Sequence, residues 1–418
     1  MFGGANSDNF DVVFTEYENK FKRHDGNITT TFKTTISSED VVEIRNISFE
    51  NSGTVVETIE VSGVFEPVLS QLDVDISHPA FNNLFIDFEK VDDNIIIKRR
   101  KRDLKEEDIC VGVALYTDNA TIGEMEVEID KSKFLGRNNI GIPKMVEESI
   151  PFSNKVGIVI DPIVALRKTI EIEGKSKLNL NLIIAVSQKQ EDVLELLKKY
   201  KNTEQIKATF ELSRAKVEAE NRYLGLTSKE IELYQQMLTY LIYKNSTKKL
   251  AEGLVIKKVY EQKGLWKYGI SGDLPILLLQ IKNKNDMDVL VDVVKAYEYF
   301  RYKNIYVDLI ILNEEENSYE QKLKLEIENV ISNRQITYLI NNGIYILNNV
   351  DDTNKNMLKF RANLIINSRR RKFEDYIKRN KTGLFIDARI YAGGKECIFW
   401  CSSRRKYTKC RFKESKIL

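Results

Sequence analysis

The chain has 418 residues, 42% of them hydrophobic and 10% aromatic, enough for two or three domains with ordinary cores and too apolar for a disordered chain. Lys+Arg (64) and Asp+Glu (62) nearly cancel to a formal net charge of +2, which gives no reason to expect nucleic acid or a membrane surface as partner. Four cysteines make no disulfide framework, no apolar run reaches the roughly 18 to 20 residues of a membrane helix, and MFGGANSDNF lacks the regions of a signal peptide, so a cytoplasmic location is expected.

From residue 10 to 186 the pattern is alternation of period two. NITTTFKTTIS (27–37), VVEIRNISFEN (41–51) and TVVETIEVSGVFE (54–66) are β-branched runs, with Asp25-Gly26 and Asn51-Ser52-Gly53 as turn signals between them. NIIIKRR, CVGVALYT, GEMEVEID, VGIVIDP and LNLNLIIAVS continue the series, so residues 1–187 read as an antiparallel β-sandwich.

At Gln188 the period changes to helical, and residues 188–272 read as a helical linker. The first helical run ends at Gly225, a C′ glycine, and Thr227 with Glu230 forms an S/T-x-x-E capping box for the next. Leu233, Met237, Tyr240 and Leu241 fall on one packing face.

Over 273–350 apolar strands alternate with helices: LPILLLQI, NDMDVLVDVVKAYEYFRYK, IYVDLIIL, SYEQKLKLEIENVIS and GIYILNN, with Ser318 and Gln321 capping the second helix. Such alternation implies a parallel sheet with right-handed crossovers. From Asp351 to residue 418 the pattern degrades, and the Lys395–Leu418 end holds three of the four cysteines.

The chemistry-bearing candidates are few. His24 and His78 are the two histidines, so no HExxH motif or zinc cluster arises; Cys397, Cys401 and Cys410 lack a nearby fourth ligand, and no metal is expected. In GLWKYGISGDLPI (264–276) the glycines precede a strand, whereas a P-loop or a nucleophile elbow follows one. A tight turn using Gly269 and Gly272 is the favoured reading. Trp266 beside Tyr268 is either a sugar-stacking platform or aromatic packing at a junction. KRRKR (98–102) is followed at once by Asp103, Glu106, Glu107 and Asp108, the pattern of a charge-compensated strand end. LNEEEN (312–317) lies at the carboxyl end of a parallel strand, where ligands sit, but capping of the next helix is the favoured role. No catalytic residue is identified from the residues alone.

Five stretches carry a resemblance further: SHPAFNNLFIDFE (77–89), KSKFLGRNN (131–139), IVIDPIVALRKTIEI (158–172), LWKYGISGDLPILLLQI (265–281) and YFRYKNIYVDLIILNEE (299–315). In this order they resemble glycoside hydrolase family 94, formerly glycosyltransferase family 36, from about Phe10 to about Arg371. The likeness is to its 1,2-β-oligoglucan phosphorylases and to the phosphorylase-like part of cyclic β-1,2-glucan synthases.

The resemblance implies an α+β multidomain chain: a galactose-mutarotase-like supersandwich, a helical linker and a small parallel α/β unit. It further implies inverting phosphorolysis of β-1,2-glucans to α-glucose 1-phosphate, with one carboxylic acid protonating the leaving oxygen and phosphate attacking the opposite face. No cofactor is implied, only inorganic phosphate as co-substrate.

The family's (α/α)6 barrel, which holds the catalytic aspartate, is absent from this sequence. No Asp or Glu therefore matches the catalytic position, and none is transferred. The expectation is a fragment with the first sandwich strands missing and a frameshifted tail at 351–418, inactive as an enzyme by itself. A separate chain would have to supply the barrel, with a β-glucan oligosaccharide as ligand. The alternative is a stand-alone carbohydrate-binding or interaction module that lost catalysis; a hydrolase using water would need two placed carboxylates, which nothing locates. Trp266 and Asp273 are the candidate substrate-binding residues, or else interface residues facing the barrel.

Overall fold

The computed structural model describes residues 10–103, 106–117, 121–137, 142–242, 261–315, 322–367, 398–403 and 406–407. The chain divides into two compact units, residues 1–220 with 390–418, and residues 221–389.

The first unit is a sandwich of two antiparallel sheets. Its larger sheet joins β1 (Phe10–Phe14), β2 (Asn19–Asp25), β3 (Ile28–Ile36) and β4 (Val42–Asn51) to β11 (Lys177–Ser187). Beyond β11 it runs through β8 (Cys110–Tyr116) and β7 (Asn94–Arg99) to β6 (Ile86–Val91). The smaller sheet has the order β17 (Lys406–Tyr407), β16 (Ile398–Ser403), β5 (Glu57–Phe65), β10 (Pro162–Ile172), β9 (Thr121–Asp130). Two short helices, α1 (Leu72–Ser77) and α2 (Pro79–Asn83), lead into β6.

The period-two code sorts side chains between the two faces of each sheet. In β4, Ile47 and Phe49 enter the core between the sheets with Ile59, Val61 and Leu166, while Val42 and Ile44 face the other way. That outer face is covered by α5 (Gln190–Tyr200), whose Val193, Leu197 and Tyr200 are buried on it. The approach is close: a Cβ on Gly112 of β8 would stand 2.3 Å from Val193 Cγ1. On the smaller sheet, α3 (Lys131–Leu135) and α4 (Lys144–Glu147) bring Phe134, Met145 and Val146 over Val64 and Ala165. Asp130 caps α3, accepting from Ser132 N at 3.0 Å.

Sequence and fold differ at three places. VGIVIDP does not form a strand over 156–161; the ladder starts at Pro162, and Ile158 and Ile160 are exposed, with Gly157 making one isolated bridge to Phe88. The first helical run breaks in two, α5 and α6 (Thr203–Tyr223), because Asn202 leaves the helix and accepts from Glu204 N and Gln205 N as a new cap. The end read as degraded supplies strands to both units: β16 pairs with β5, Cys401 opposite Val61, and β15 (Leu364–Asn367) joins the parallel sheet.

The second unit is that parallel sheet with its helices. Strands β12 (Ile276–Ile281), β13 (Asp308–Asn313), β14 (Ile344–Asn348) and β15 stand in the order β14-β13-β12-β15. Every residue of β12 and β13 is buried, as expected for strands covered on both faces. On one face lie α7 (Ser228–Ile242), α8 (Met287–Tyr302) and α9 (Lys322–Asn333), with Tyr234, Met237, Val293, Tyr297 and Ile327 in one core. On the other lie α10 (Asp352–Arg361) and the 3-10 turn Gln262–Tyr268, through Met357, Leu358 and Leu265. Asp351 starts α10 by accepting from Asn354 N at 3.0 Å, so the chain past residue 350 is ordered by a cap the periodicity did not reveal.

The Thr227–Glu230 capping box forms. Glu230 Oε2 accepts from Thr227 N at 2.7 Å, Glu230 N donates to Thr227 Oγ1 at 3.3 Å, and Lys295 of α8 reaches Glu230 Oε1 at 2.5 Å. Together these contacts hold the Glu230 carboxyl below the usual range against the opposing pull of burial.

Candidate functional site at the amino ends of the parallel strands

GLWKYGISGDLPI folds as the 3-10 turn Gln262–Tyr268, a left-handed Gly269 (φ 73°), a second left-handed Gly272 (φ 79°), and then β12. Both glycines sit where an L side chain is strained, so the turn reading of this segment is the correct one. Leu265 and Ile270 are fully buried beneath it and anchor it to the sheet.

The two candidate residues belong to one hydrogen-bonded unit. Gln262 Nε2 donates to Ser271 O and to Asp273 Oδ1, each at 2.9 Å, and Trp266 Nε1 donates to the same Ser271 O at 3.3 Å. Asp273 N also donates to Ser271 Oγ at 3.2 Å. Trp266 is 63% exposed, so its ring is held at one edge and open to solvent elsewhere. Beside the turn is a cleft of about 170 Å³ lined by Gly272, Asp273, Pro275, Leu241, Arg361 and Asn363.

Asn363 and Asp308 were not legible as members of this site. Asn363 accepts from Ile276 N at 3.2 Å and donates to Leu241 O at 2.8 Å, joining the ends of α7 and β15 to the start of β12. Asp308 opens β13 and is only 3% exposed, with its N–H donating to Pro275 O at 2.9 Å. Burial, reinforced by the nearby Asp273 charge, pushes its carboxyl up to about 6. A carboxyl titrating near neutrality is a common signature of acid–base chemistry. Here it is sealed beneath the turn, whereas Asp273 and Trp266 are the groups a ligand in solvent meets.

The other sequence candidates resolve as structural features. Lys98 pairs with Glu89 at 2.8 Å and Lys101 with Asp108 at 2.7 Å, so the KRRKR block is a compensated strand end. In LNEEEN, Glu315 accepts from Leu323 N at the start of α9 (3.4 Å), while Glu314 accepts from Gln280 Nε2 at 3.1 Å; the predicted Ser318–Gln321 cap lies outside the described residues. Cys110 is a free, buried thiol, pushed up by its burial. Cys397 and Cys410 lie outside the described residues, among which no group of three His, Cys, Asp or Glu is placed to hold a metal.

Comparison with known proteins agrees with the fold. Residues 3–203 match the model of the glycosyl hydrolase 94 supersandwich domain. The cyclic beta-(1,2)-glucan synthase NdvB of Rhizobium meliloti (strain 1021) is 28% identical over 327 residues, 77% of this chain. The chain spans only 12% of that protein's length. Among solved structures, a putative kojibiose phosphorylase from human microbiome aligns over 47% of this chain and 23% of its own, at 10% identity and a TM-score of 0.29. Heparinase III aligns over 44% and 22%, at 8% identity and a TM-score of 0.26. Likeness at that level transfers no chemistry. Residues 3–203, the stretch that carries β1 to β11, thus match the supersandwich domain of glycosyl hydrolase family 94.

Proposed function

We propose that this chain is a non-catalytic portion of a glycoside phosphorylase-type protein of the cytoplasm acting on β-1,2-glucans. In the whole protein, inverting phosphorolysis gives α-glucose 1-phosphate, with inorganic phosphate as co-substrate and no organic cofactor. The observation that carries this reading is the 327-residue similarity to the cyclic beta-(1,2)-glucan synthase, which exceeds the supersandwich match and so enters the second unit. Phosphorolysis needs a protonated carboxyl in contact with the leaving oxygen. Among the described residues, the carboxyl pushed up to about 6 is Asp308, and it is buried where no glycosidic oxygen reaches.

The pure chain, incubated with β-1,2-glucooligosaccharides and phosphate, is expected to release no glucose 1-phosphate. Release by the chain alone overturns the inactivity. Glucose 1-phosphate formed only after addition of a chain carrying an (α/α)6 barrel would identify the missing partner.

A second reading, a carbohydrate-binding module, is favoured by one observation: the exposed indole of Trp266 fixed beside the Asp273 carboxylate. Aromatic faces suit the apolar faces of sugar rings, and a neighbouring carboxylate accepts from hydroxyls. Binding of β-glucan that shifts tryptophan fluorescence, and loses that shift in Trp266→Ala, supports this role. An unchanged signal at saturating glucan removes it.

A further inference from the structure

We propose that strand β1 is an interface between two copies of this chain, which pair edge to edge about a two-fold axis so that their larger sheets run on as one. The proposal concerns the sandwich unit and does not depend on the activity proposed above.

The hairpin register fixes what β1 offers. Thr15 N donates to Glu18 O at 2.9 Å, so residues 15 and 18 form a hydrogen-bonded pair between β1 and β2. Opposed residues in an antiparallel ladder alternate between bonded and non-bonded pairs. Val13 stands opposite Lys20 and Asp11 opposite Lys22, so Asp11 and Val13 are the residues that bond β2. The N–H and C=O groups of Phe10, Val12 and Phe14 therefore point out of the sheet. Among the described residues, those of Val12 and Phe14 meet no partner.

The other edges of the sandwich are covered or short. At β6, Phe88 N donates to Gly157 O at 3.2 Å and Gly157 N donates to Phe88 O at 2.8 Å. At β9, Asn154 N donates to Val127 O at 2.9 Å and Val127 N donates to Asn154 Oδ1 at 2.8 Å. Strand β17 is two residues long. Strand β1 has none of the usual guards: no proline, no lysine and no bulge, with Val13 50% and Phe14 62% exposed.

The strand is complementary to itself. Antiparallel pairing centred on Val12 overlaps the whole strand, setting Val12 against the partner's Val12 and Phe10 against the partner's Phe14. These are the residues whose backbone groups face outward, so each pair exchanges both of its hydrogen bonds. The Phe14 ring, already edge-on to Phe21 at 5.6 Å, gains a second aromatic neighbour. Asp11, the one charge of the strand, falls opposite the partner's Val13, which keeps the two carboxylates apart. On that face Asp11 then lies between Lys22 of its own β2 and, one strand beyond Val13, the partner's Lys20, so charge alternates across the seam. The join uses the same edge on both copies and is closed by its symmetry, so it stops at a dimer.

The test is sedimentation velocity of the full chain up to about 100 µM, where a dimer is expected. Val12→Pro removes an outward N–H and no bond to β2, and edge strands tolerate proline. It should weaken dimerisation by about tenfold or more. Val12→Cys should cross-link two copies under mild oxidation, because residues so paired stand about 5.5 Å apart between Cα atoms, within disulfide reach. Val13→Cys is out of register with its counterpart and should not link, and the wild-type chain under the same oxidation gives the baseline for its own cysteines. Circular dichroism checks each fold, and the cross-link decides the matter if Val12→Pro unfolds.

A folded wild-type chain that stays monomeric at about 100 µM overturns the interface, leaving the edge to a strand of another polypeptide or to none, and leaves the phosphorylase-type reading intact. A dimer unmoved by Val12→Pro, a Val13→Cys link as strong as that of Val12→Cys, or open-ended oligomers also overturn it.

Discussion

Gln262 donates from Nε2 to Asp273 Oδ1 at 2.9 Å, closing the turn over Gly272. A Cβ on Gly272 would meet Leu265 Cδ1 at 2.8 Å and Gln262 Cγ at 3.0 Å, on a backbone already at φ 79°. Gly269, at φ 73°, would meet nothing within 4 Å. The pair therefore separates backbone strain from packing. Gly269→Ala should cost about 1–2 kcal/mol from the left-handed conformation alone. Gly272→Ala adds overpacking of about 1–3 kcal/mol and should give a visibly lower thermal midpoint. Equal midpoints for the two variants would show that the turn does not press on Leu265 and Gln262.

Helix α7 starts on a reciprocal cap that also receives a lysine from α8, so one carboxylate serves both elements. Thr227→Ala should cost about 1 kcal/mol, the ordinary loss of an N-cap. Glu230→Ala should cost more, because it also leaves half-buried Lys295 without its 2.5 Å partner. The Glu230 carboxyl is held low in the fold, so its contribution is present above about pH 4.5 and is lost as pH falls through the folded value. Urea unfolding of wild type and Glu230→Gln should therefore converge at low pH; a gap of constant size from pH 7 to 3 would remove the capping charge as its cause.

Buried Arg167 on β10 is the charged hub of the outer face of the smaller sheet. It stands 3.2 Å from Glu60, donates to Met145 O at 2.8 Å and Ile150 O at 2.9 Å, and stacks 3.9 Å from the Phe152 ring centroid. Burial raises the Glu60 carboxyl, opposed by Arg167. Arg167→Met should cost about 3–5 kcal/mol, since it strands Glu60 and two carbonyls at once. Adding Glu60→Gln should recover part of that loss. Simple additivity of the two variants in urea titrations would mean that the pair is not coupled.

The sandwich was legible because its strands are half-buried and alternate, so β4 displays Ile47 and Phe49 on one parity and Val42 and Ile44 on the other. The parallel strands were legible for the opposite reason, since β12 and β13 are apolar throughout. What escaped was set by single capping residues and by long-range pairing. Asn202 splits a continuous helical period, and Asp351 opens a helix in a polar stretch. Leu364–Asn367 is too short to announce itself as a strand until β12 offers it a partner. Trp266 and Asp273 were singled out from one glycine-rich segment, and the fold does join them. Gln262 and Asn363, which hold that segment, are ordinary polar residues whose role exists only in three dimensions.

The last prediction concerns the buried carboxyl beneath the candidate site. Asp308 has a folded value of about 6 against an ordinary 3.8, so between these values the folded chain holds a proton that the unfolded chain releases. Its effect on stability is therefore smallest below about pH 4, grows as pH rises, and is complete above about pH 6. At neutral pH the burden is about 3 kcal/mol. Asp308→Asn keeps the shape without the charge, and any cost of the buried amide applies at every pH. The stability difference between variant and wild type should thus move in the variant's favour by up to about 3 kcal/mol between pH 4 and pH 7.5, read from urea midpoints. Asp273→Asn removes the nearby like charge and should lower the Asp308 midpoint, shrinking that swing without abolishing it, because burial is its larger cause. A difference that does not change with pH would place Asp308 in contact with solvent and reopen it as a group able to meet a ligand.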